Sequence, residues 1–254
     1  MAASLAAAGS EVSAAALAGK ALPEPNLPPG LIEAAALAAV VSTTPVAVPA
    51  AVPPAAAVPP AAVQPEASSP PLLEGFEGAF PGRGVWKVTK DRAVQTNPKE
   101  YYAKLIAPLS QEAKTYRYEF SAKSEGSGLV GFGLHVFVRS AETHEGWGEG
   151  RSILVWLTYD KLHYGSEPTR LQIYRSLGDS YMAMIRDVPL PISIFDRHAY
   201  SVEVASGRGS LDVSIDGKVA LSETGVGDFG VGHYVVFRTI DKAAFGDFRV
   251  EVEK

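Results

Sequence analysis

Thr115-Tyr116-Arg117-Tyr118-Glu119-Phe120, followed by Phe132-Gly133-Leu134-His135-Val136-Phe137-Val138-Arg139, decides the fold. In the first stretch the aromatic residues Tyr116, Tyr118 and Phe120 alternate with Thr115, Arg117 and Glu119. In the second, Phe132, Leu134, Val136 and Val138 alternate with Gly133, His135, Phe137 and Arg139. Successive side chains of an extended strand point to opposite faces, so a period of two marks a half-buried β-strand rather than a helix.

The same pattern recurs on either side. Ser152 to Tyr159 sets Ile153, Val155, Leu157 and Tyr159 on one face, and Leu171 to Tyr174, Met182 to Ile185, Ala199 to Ala205, Ser210 to Ile215, Gly232 to Arg238 and Ala244 to Val252 read as further strands. With Leu73 to Phe80 the series comes to about ten. Ser206-Gly207-Arg208-Gly209 and Asp216-Gly217 are turn signals that supply positive φ between adjacent strands. No amphipathic helix interrupts them. Many short strands with turn chemistry between them predict an all-β sandwich or barrel.

Tyr200-Ser201-Val202-Glu203-Val204, then Gly209 to Gly217 with its closing Asp-Gly, then Tyr234-Val235-Val236-Phe237-Arg238 and Ala244 to Val252 resemble the closing strands of the concanavalin A-like (laminin-G, pentraxin and glucanase) jelly rolls. The resemblance covers the layout of residues 73 to 254. It implies a two-sheet antiparallel jelly-roll sandwich, the last strand returning beside an N-terminal strand at Leu73 to Phe80. Retaining glucanases of that superfamily carry Glu-x-Asp-x-x-Glu along one strand, and no such run stands here.

The chain ahead of that domain is different in kind. All 23 aromatic residues lie from Phe76 onward, and 13 of the 19 prolines lie at or before Pro71. Residues 1 to 72 read as a disordered Ala/Pro-rich tether, in which proline pairs such as Pro53-Pro54 and Pro59-Pro60 favour extended backbone and Ser13 to Leu22 and Leu31 to Val41 have the composition of short Ala-rich helices. The apolar stretch from Leu31 to Val52 is broken by Glu33, Pro45 and Pro49, and alanine dominates it, so no integral membrane span is expected. Met1 to Gly19 lacks the charged start of a secretory signal, which fits a cytosolic protein or a mature form with its signal removed.

Charge and composition exclude several chemistries. Residues 1 to 71 hold one basic residue, Lys20, and four acidic ones. Of the totals of 23 and 28, that leaves 22 basic and 24 acidic residues in the remainder. A domain near −2 is no nucleic-acid binder. With no cysteine there is no thiol nucleophile, disulfide or thiolate metal site. No Gly-x-Ser-x-Gly elbow is present, and His135, His144, His163, His198 and His233 are scattered. No cofactor is called for. Calcium is the one ion with any support, from Glu142, Glu145 and Glu149, but without an Asp-x-Asp-x-Asp series these read as a solvated acidic loop.

What remains is a face. With Phe132, Leu134, Val136, Ile153, Val155 and Leu157 turned to the core, His135, Phe137, Arg139, Trp156, Thr158, Gln172 and Tyr174 turn outward, beside a loop carrying Trp147 in Gly146-Trp147-Gly148-Glu149-Gly150. Flat aromatics beside hydrogen-bonding groups suit sugar rings. The candidate ligand-binding residues are therefore His135, Arg139, Trp147, Trp156, Gln172 and Tyr174, with no catalytic residue. The expected function is a non-catalytic glycan-binding module of a bacterial-type cell envelope, extracytoplasmic and displayed on a spacer. Its partner is then a glycan or an envelope protein. The alternatives are a structural envelope or filament-sheath protein and a sugar hydrolase.

Overall fold

A computed structural model describes residues 71 to 253 apart from Glu142, His144 and Phe229. The tether expected over residues 1 to 72, its short helices and the stretch from Leu31 to Val52 fall, but for Pro71 and Leu72, outside the described residues.

The described residues build two antiparallel sheets. The strands are β1 (Leu73–Glu74), β2 (Phe80–Arg83), β3 (Trp86–Val88), β4 (Arg92–Gln95), β5 (Ala103–Gln111), β6 (Thr115–Ser124), β7 (Val130–Val138), β8 (Arg151–Tyr159), β9 (Thr169–Leu177), β10 (Met182–Pro189), β11 (His198–Ala205), β12 (Ser210–Ile215), β13 (Lys218–Thr224), β14 (Gly232–Ile240) and β15 (Ala243–Val252). One sheet runs β13-β12-β11-β6-β15-β4-β3, with β1 also paired to β15; the other runs β10-β9-β8-β7-β14-β5-β2. A single helical turn, α1 (Lys161–Tyr164), links β8 to β9 and is capped by Asp160, whose side chain accepts the Leu162 and His163 N–H groups.

The core is the alternation made solid. Tyr118, Phe120, Val202, Leu211 and Phe245 of the first sheet face Phe132, Leu134, Ile153, Ile173 and Phe237 of the second, all buried in one cluster. Phe237 is its hub, with ring centroids 5.0 Å from Phe245, 4.8 Å from Phe248 and 5.2 Å from Phe76. Such pairs contribute about 0.5–1.5 kcal/mol each beyond the area they bury. The Asp216-Gly217 turn takes the two positive φ values expected, 49° and 75°, and closes the β12–β13 hairpin at the Ile215–Lys218 pair.

Two expectations are corrected. Leu73 to Phe80 is not one strand. Leu73 does pair with Val250 of β15, but Gly75 and Gly78 adopt φ of 76° and 75°, drop Phe76 into the core, and pass the chain to the other sheet, where Phe80 pairs with Ile106. Phe137 does not face outward. It takes φ of 56°, the ladder to β14 slips between Tyr234 and Val236, and Val136 and Phe137 both enter the core. This is a β-bulge, and it reverses the alternation beyond it. Val138 then turns outward to pack on Ile106 and Val236.

Candidate functional site

The outward face of the seven-stranded sheet is floored by two glycines. Gly131 and Gly133 of β7 lie beneath Trp156 of β8. A Cβ on Gly131 would fall 2.3 Å from the indole Cζ2, and one on Gly133 would fall 2.9 Å from Cε3, so only glycine lets the ring lie flat across the strand. Arg238 of β14, the cross-strand partner of Gly133, brings its guanidinium alongside. Its central carbon stands 4.9 Å from the Trp156 ring and 4.9 Å from the Trp147 ring, so the cation is clasped between two indoles.

Arg238 is 1% exposed, and its Nε and one terminal nitrogen have no hydrogen-bond partner. Burial lowers its pKa from 12.5 to about 10. It is charged at neutral pH and held by ring faces rather than by a carboxylate.

Next to it lies a second buried set. Lys104 Nζ is 2.6 Å from a Glu149 carboxylate oxygen with both side chains fully buried, and it donates to the Gly148 carbonyl at 3.2 Å. Ser152 Oγ donates to the Glu149 carbonyl at 2.8 Å, which commits its one proton. The 2.9 Å contact between Ser152 Oγ and His135 Nδ1 therefore has the imidazole donating from Nδ1, with Nε2 left as an unpartnered acceptor. Burial, then the charges of Arg238 and Lys104, hold the His135 pKa well below its usual value, so the ring is neutral.

Residues 145 to 150, ahead of β8, supply the cover. Gly148 N–H donates to the Asp179 carbonyl at 2.7 Å and Glu149 N–H to Ser176 Oγ at 2.9 Å. Trp147 meets Tyr102 edge-on, with centroids 5.1 Å apart. A Cβ on Gly146 would lie 2.4 Å from the Asp179 carbonyl oxygen, and one on Gly148 would lie 1.9 Å from that of Gly178. The Gly-Trp-Gly-Glu-Gly composition is thus what allows this loop to lie on the β9–β10 turn. Glu149 is not part of a solvated acidic loop as expected, because it is spent on Lys104. Glu145 pairs with Arg83 at 2.6 Å, and Glu142 lies outside the described residues. Among the described residues no three His, Asp or Glu side chains converge as a metal site requires.

Away from the cover the face opens toward β9 and β10. Tyr174 Oη donates to Gln172 Oε1 at 2.9 Å, and Gln172 Nε2 donates to Tyr164 Oη of α1 at 3.0 Å. Arg170, paired with Asp187 at 2.9 Å, lays its guanidinium 4.7 Å over the Tyr164 ring. Tyr174, Met182 and Leu129 pack half-buried around Trp156, and Tyr181 and Met184 stand exposed at the rim.

Five of the six candidates, His135, Trp147, Trp156, Gln172 and Tyr174, thus gather on one face or its cover. His135 and Gln172 are buried, Trp156 is 5% exposed, and Trp147 is 36% exposed. Arg139 is separated from them, since the Phe137 bulge sends it to the opposite side, where it lines a pocket at the end of the sandwich. Arg238, Lys104 and Glu149 join the site from the structure alone. The signal for the first two was a cation at an alternating position inside an apolar run, Tyr234 to Arg238 and Ala103 to Ile106; for Glu149 there was none.

No protein-family model and no curated protein matches the chain. Solved structures do. A carbohydrate-binding module, CBM66 from Bacillus subtilis, is 12% identical over 71% of this chain and 99% of its own, with a TM-score of 0.54. The Emp46p carbohydrate recognition domain in its potassium-bound form is 13% identical over 71% and 95%, TM-score 0.53. The Emp47p carbohydrate recognition domain is 13% identical over 73% and 94%, TM-score 0.52. At such identities the likeness is one of fold: a two-sheet antiparallel jelly-roll sandwich, the layout that the concanavalin A-like resemblance implied.

Proposed function

We propose that residues 73 to 254 form a non-catalytic carbohydrate-binding module that takes its ligand on the outward face of the seven-stranded sheet. Residues 1 to 72 act as a spacer that displays the module at a cell envelope. The observation that carries the reading is the Trp147–Arg238–Trp156 stack, with Tyr174 and Gln172 hydrogen-bonded beside it. The exposed part of Trp147 and the half-buried Tyr174 offer a sugar its apolar contact, and the amide, phenol and guanidinium groups offer partners to its hydroxyls. Two unpartnered donor nitrogens on a buried cation are costly unless something accepts from them, and a ligand hydroxyl entering beside the cover would do so. Folds of this kind in CBM66 and the Emp46p domain, by their names, bind or recognise carbohydrate. The carboxylates of this face are engaged, Glu149 by Lys104 and Asp187 by Arg170, which favours binding over a two-carboxylate hydrolysis.

A glycan array probed with the full chain, with and without calcium, tests the reading. Saturable binding to a defined glycan class is expected, weakened at least tenfold by Trp147→Ala with the melting transition retained. A blank array from a folded sample, or an unchanged isotherm for Trp147→Ala, refutes it.

A further inference from the structure

Three strands of the seven-stranded sheet end in arginine on the same side. Arg151 opens β8, Arg175 lies near the end of β9, and Arg139 follows β7. The register pairs Ile153 with Arg175 and Arg151 with Leu177, so both arginines stand on the inward face, one step beyond the last apolar layer. The Phe137 bulge turns Arg139 to that side as well. Together they line a pocket of ≈ 270 Å³ with Ser152, Ser176 and Asp228.

The opposite wall is backbone. Residues 225 to 228 and Gly230 form it, with Gly225, Gly227 and Gly230 at φ of 78°, 94° and 64°. A Cβ on Gly227 would fall 2.6 Å from a terminal nitrogen of Arg175, and one on Gly230 would fall 2.8 Å from a terminal nitrogen of Arg139. Arg175 donates to the Val226 carbonyl at 2.5 Å, which fixes its fork, and the Asp228 carboxylate accepts from Gly230 N–H at 2.9 Å. Among the described residues no carboxylate lies within ion-pair distance of Arg139, Arg151 or Arg175. Asp228 is thus, among the described residues, the one carboxylate lining a small cavity that three guanidiniums also line.

We propose that this pocket binds the carboxylate or sulfate group of an acidic saccharide. Guanidinium forks match planar and tetrahedral oxyanions with paired N–H donors, and three such forks outweigh the repulsion of the single Asp228. The volume lies just below the usual range of about 300–1,000 Å³ for small-molecule sites, so it suits one charged terminal group rather than a chain. The saccharide assignment rests on the carbohydrate-binding reading; the anion site itself stands on the arginines.

The test is calorimetric titration of the full chain with glucuronic acid, with glucose, and with inorganic sulfate, at low and raised sodium chloride. Glucuronate is expected to bind saturably, more weakly as salt rises, and glucose not to compete with it. Arg139→Gln and Arg151→Gln, both exposed positions, should each lower glucuronate affinity about tenfold or more while leaving the melting temperature within a few degrees. Absence of glucuronate binding, or an affinity unchanged in the double variant, overturns the proposal. Sulfate binding as tightly as glucuronate at the same site overturns its saccharide part. A blank glycan array beside saturable, arginine-dependent glucuronate binding would refute only the outward-face reading.

Discussion

Removing the Glu149 charge is the sharpest test of how the cover is held. Lys104 and Glu149 are both fully buried and 2.6 Å apart, so Glu149→Gln leaves an ammonium inside the protein with no counter-charge, facing only the new amide oxygen and the Gly148 carbonyl at 3.2 Å. Breaking a buried pair from one side costs about 3–5 kcal/mol. Here the cost has a ceiling, because Glu149 sits on a loop. If the loop lifts, Lys104 regains water, and what is lost is only the docking of residues 146 to 150. We therefore expect a loss of about 3 kcal/mol in urea unfolding, together with faster amide exchange at Gly148 and Glu149, whose N–H groups are bonded to Asp179 and Ser176. The double variant Lys104→Met/Glu149→Leu should recover most of that loss, since it leaves no charge behind. A Glu149→Gln protein within about 0.5 kcal/mol of the parent, or a double variant as unstable as the two singles combined, would refute the reasoning.

Three further outcomes follow from the same geometry. Gly148→Ala places a methyl 1.9 Å from the Gly178 carbonyl oxygen, so it should expel the cover, raise Trp147 exposure in fluorescence quenching and cost about 1–3 kcal/mol. Arg238→Met keeps a flexible chain between the two indoles without a buried charge; equilibrium unfolding should show stability equal or higher, and titration with any glycan found on the array should show its affinity lost. The Asp216 carboxyl is held below its ordinary value of 3.8, first by the Ala199 N–H and then by His198. A depressed folded-state pKa gives stability that is present above the ordinary value and lost as pH falls through the folded one. The parent should therefore lose more stability than Asp216→Asn when acid unfolding is followed below about pH 4, and parallel pH profiles would count against it.

How far the sequence is legible depends on which interaction decides each position. Alternation in Thr115 to Phe120 and Ser152 to Tyr159 reflects burial of one face, a local rule, so those strands and their inward residues could be read directly. The Asp216-Gly217 turn is local in the same sense. Phe137 could not be read, because its φ of 56° is imposed by the slip in pairing with β14, about a hundred residues away in sequence. That single bulge also decides which side Arg139 serves. Glu149 was misjudged for a related reason: a glutamate among glycines looks solvated until the fold brings Lys104 from β5 beneath it. The site was thus half legible, its aromatic members from alternation and its buried charges only from tertiary pairing.

The outward face departs from what stability alone would select. A sheet face of Ile106, Val236, Leu154 and Trp156 could have been sealed by an apolar loop. Instead it holds Lys104, Arg238 and His135, with two guanidinium nitrogens and an imidazole nitrogen left without partners. Each unmet buried group costs about 1–3 kcal/mol, and no turn or strand in the fold requires any of them. Groups that weaken the fold, one of them set between two indoles under a glycine-rich cover, are what the proposed carbohydrate-binding reading calls for. On the proposed carbohydrate-binding reading, that cost would be recovered when ligand hydroxyls accept what Arg238 still has to donate.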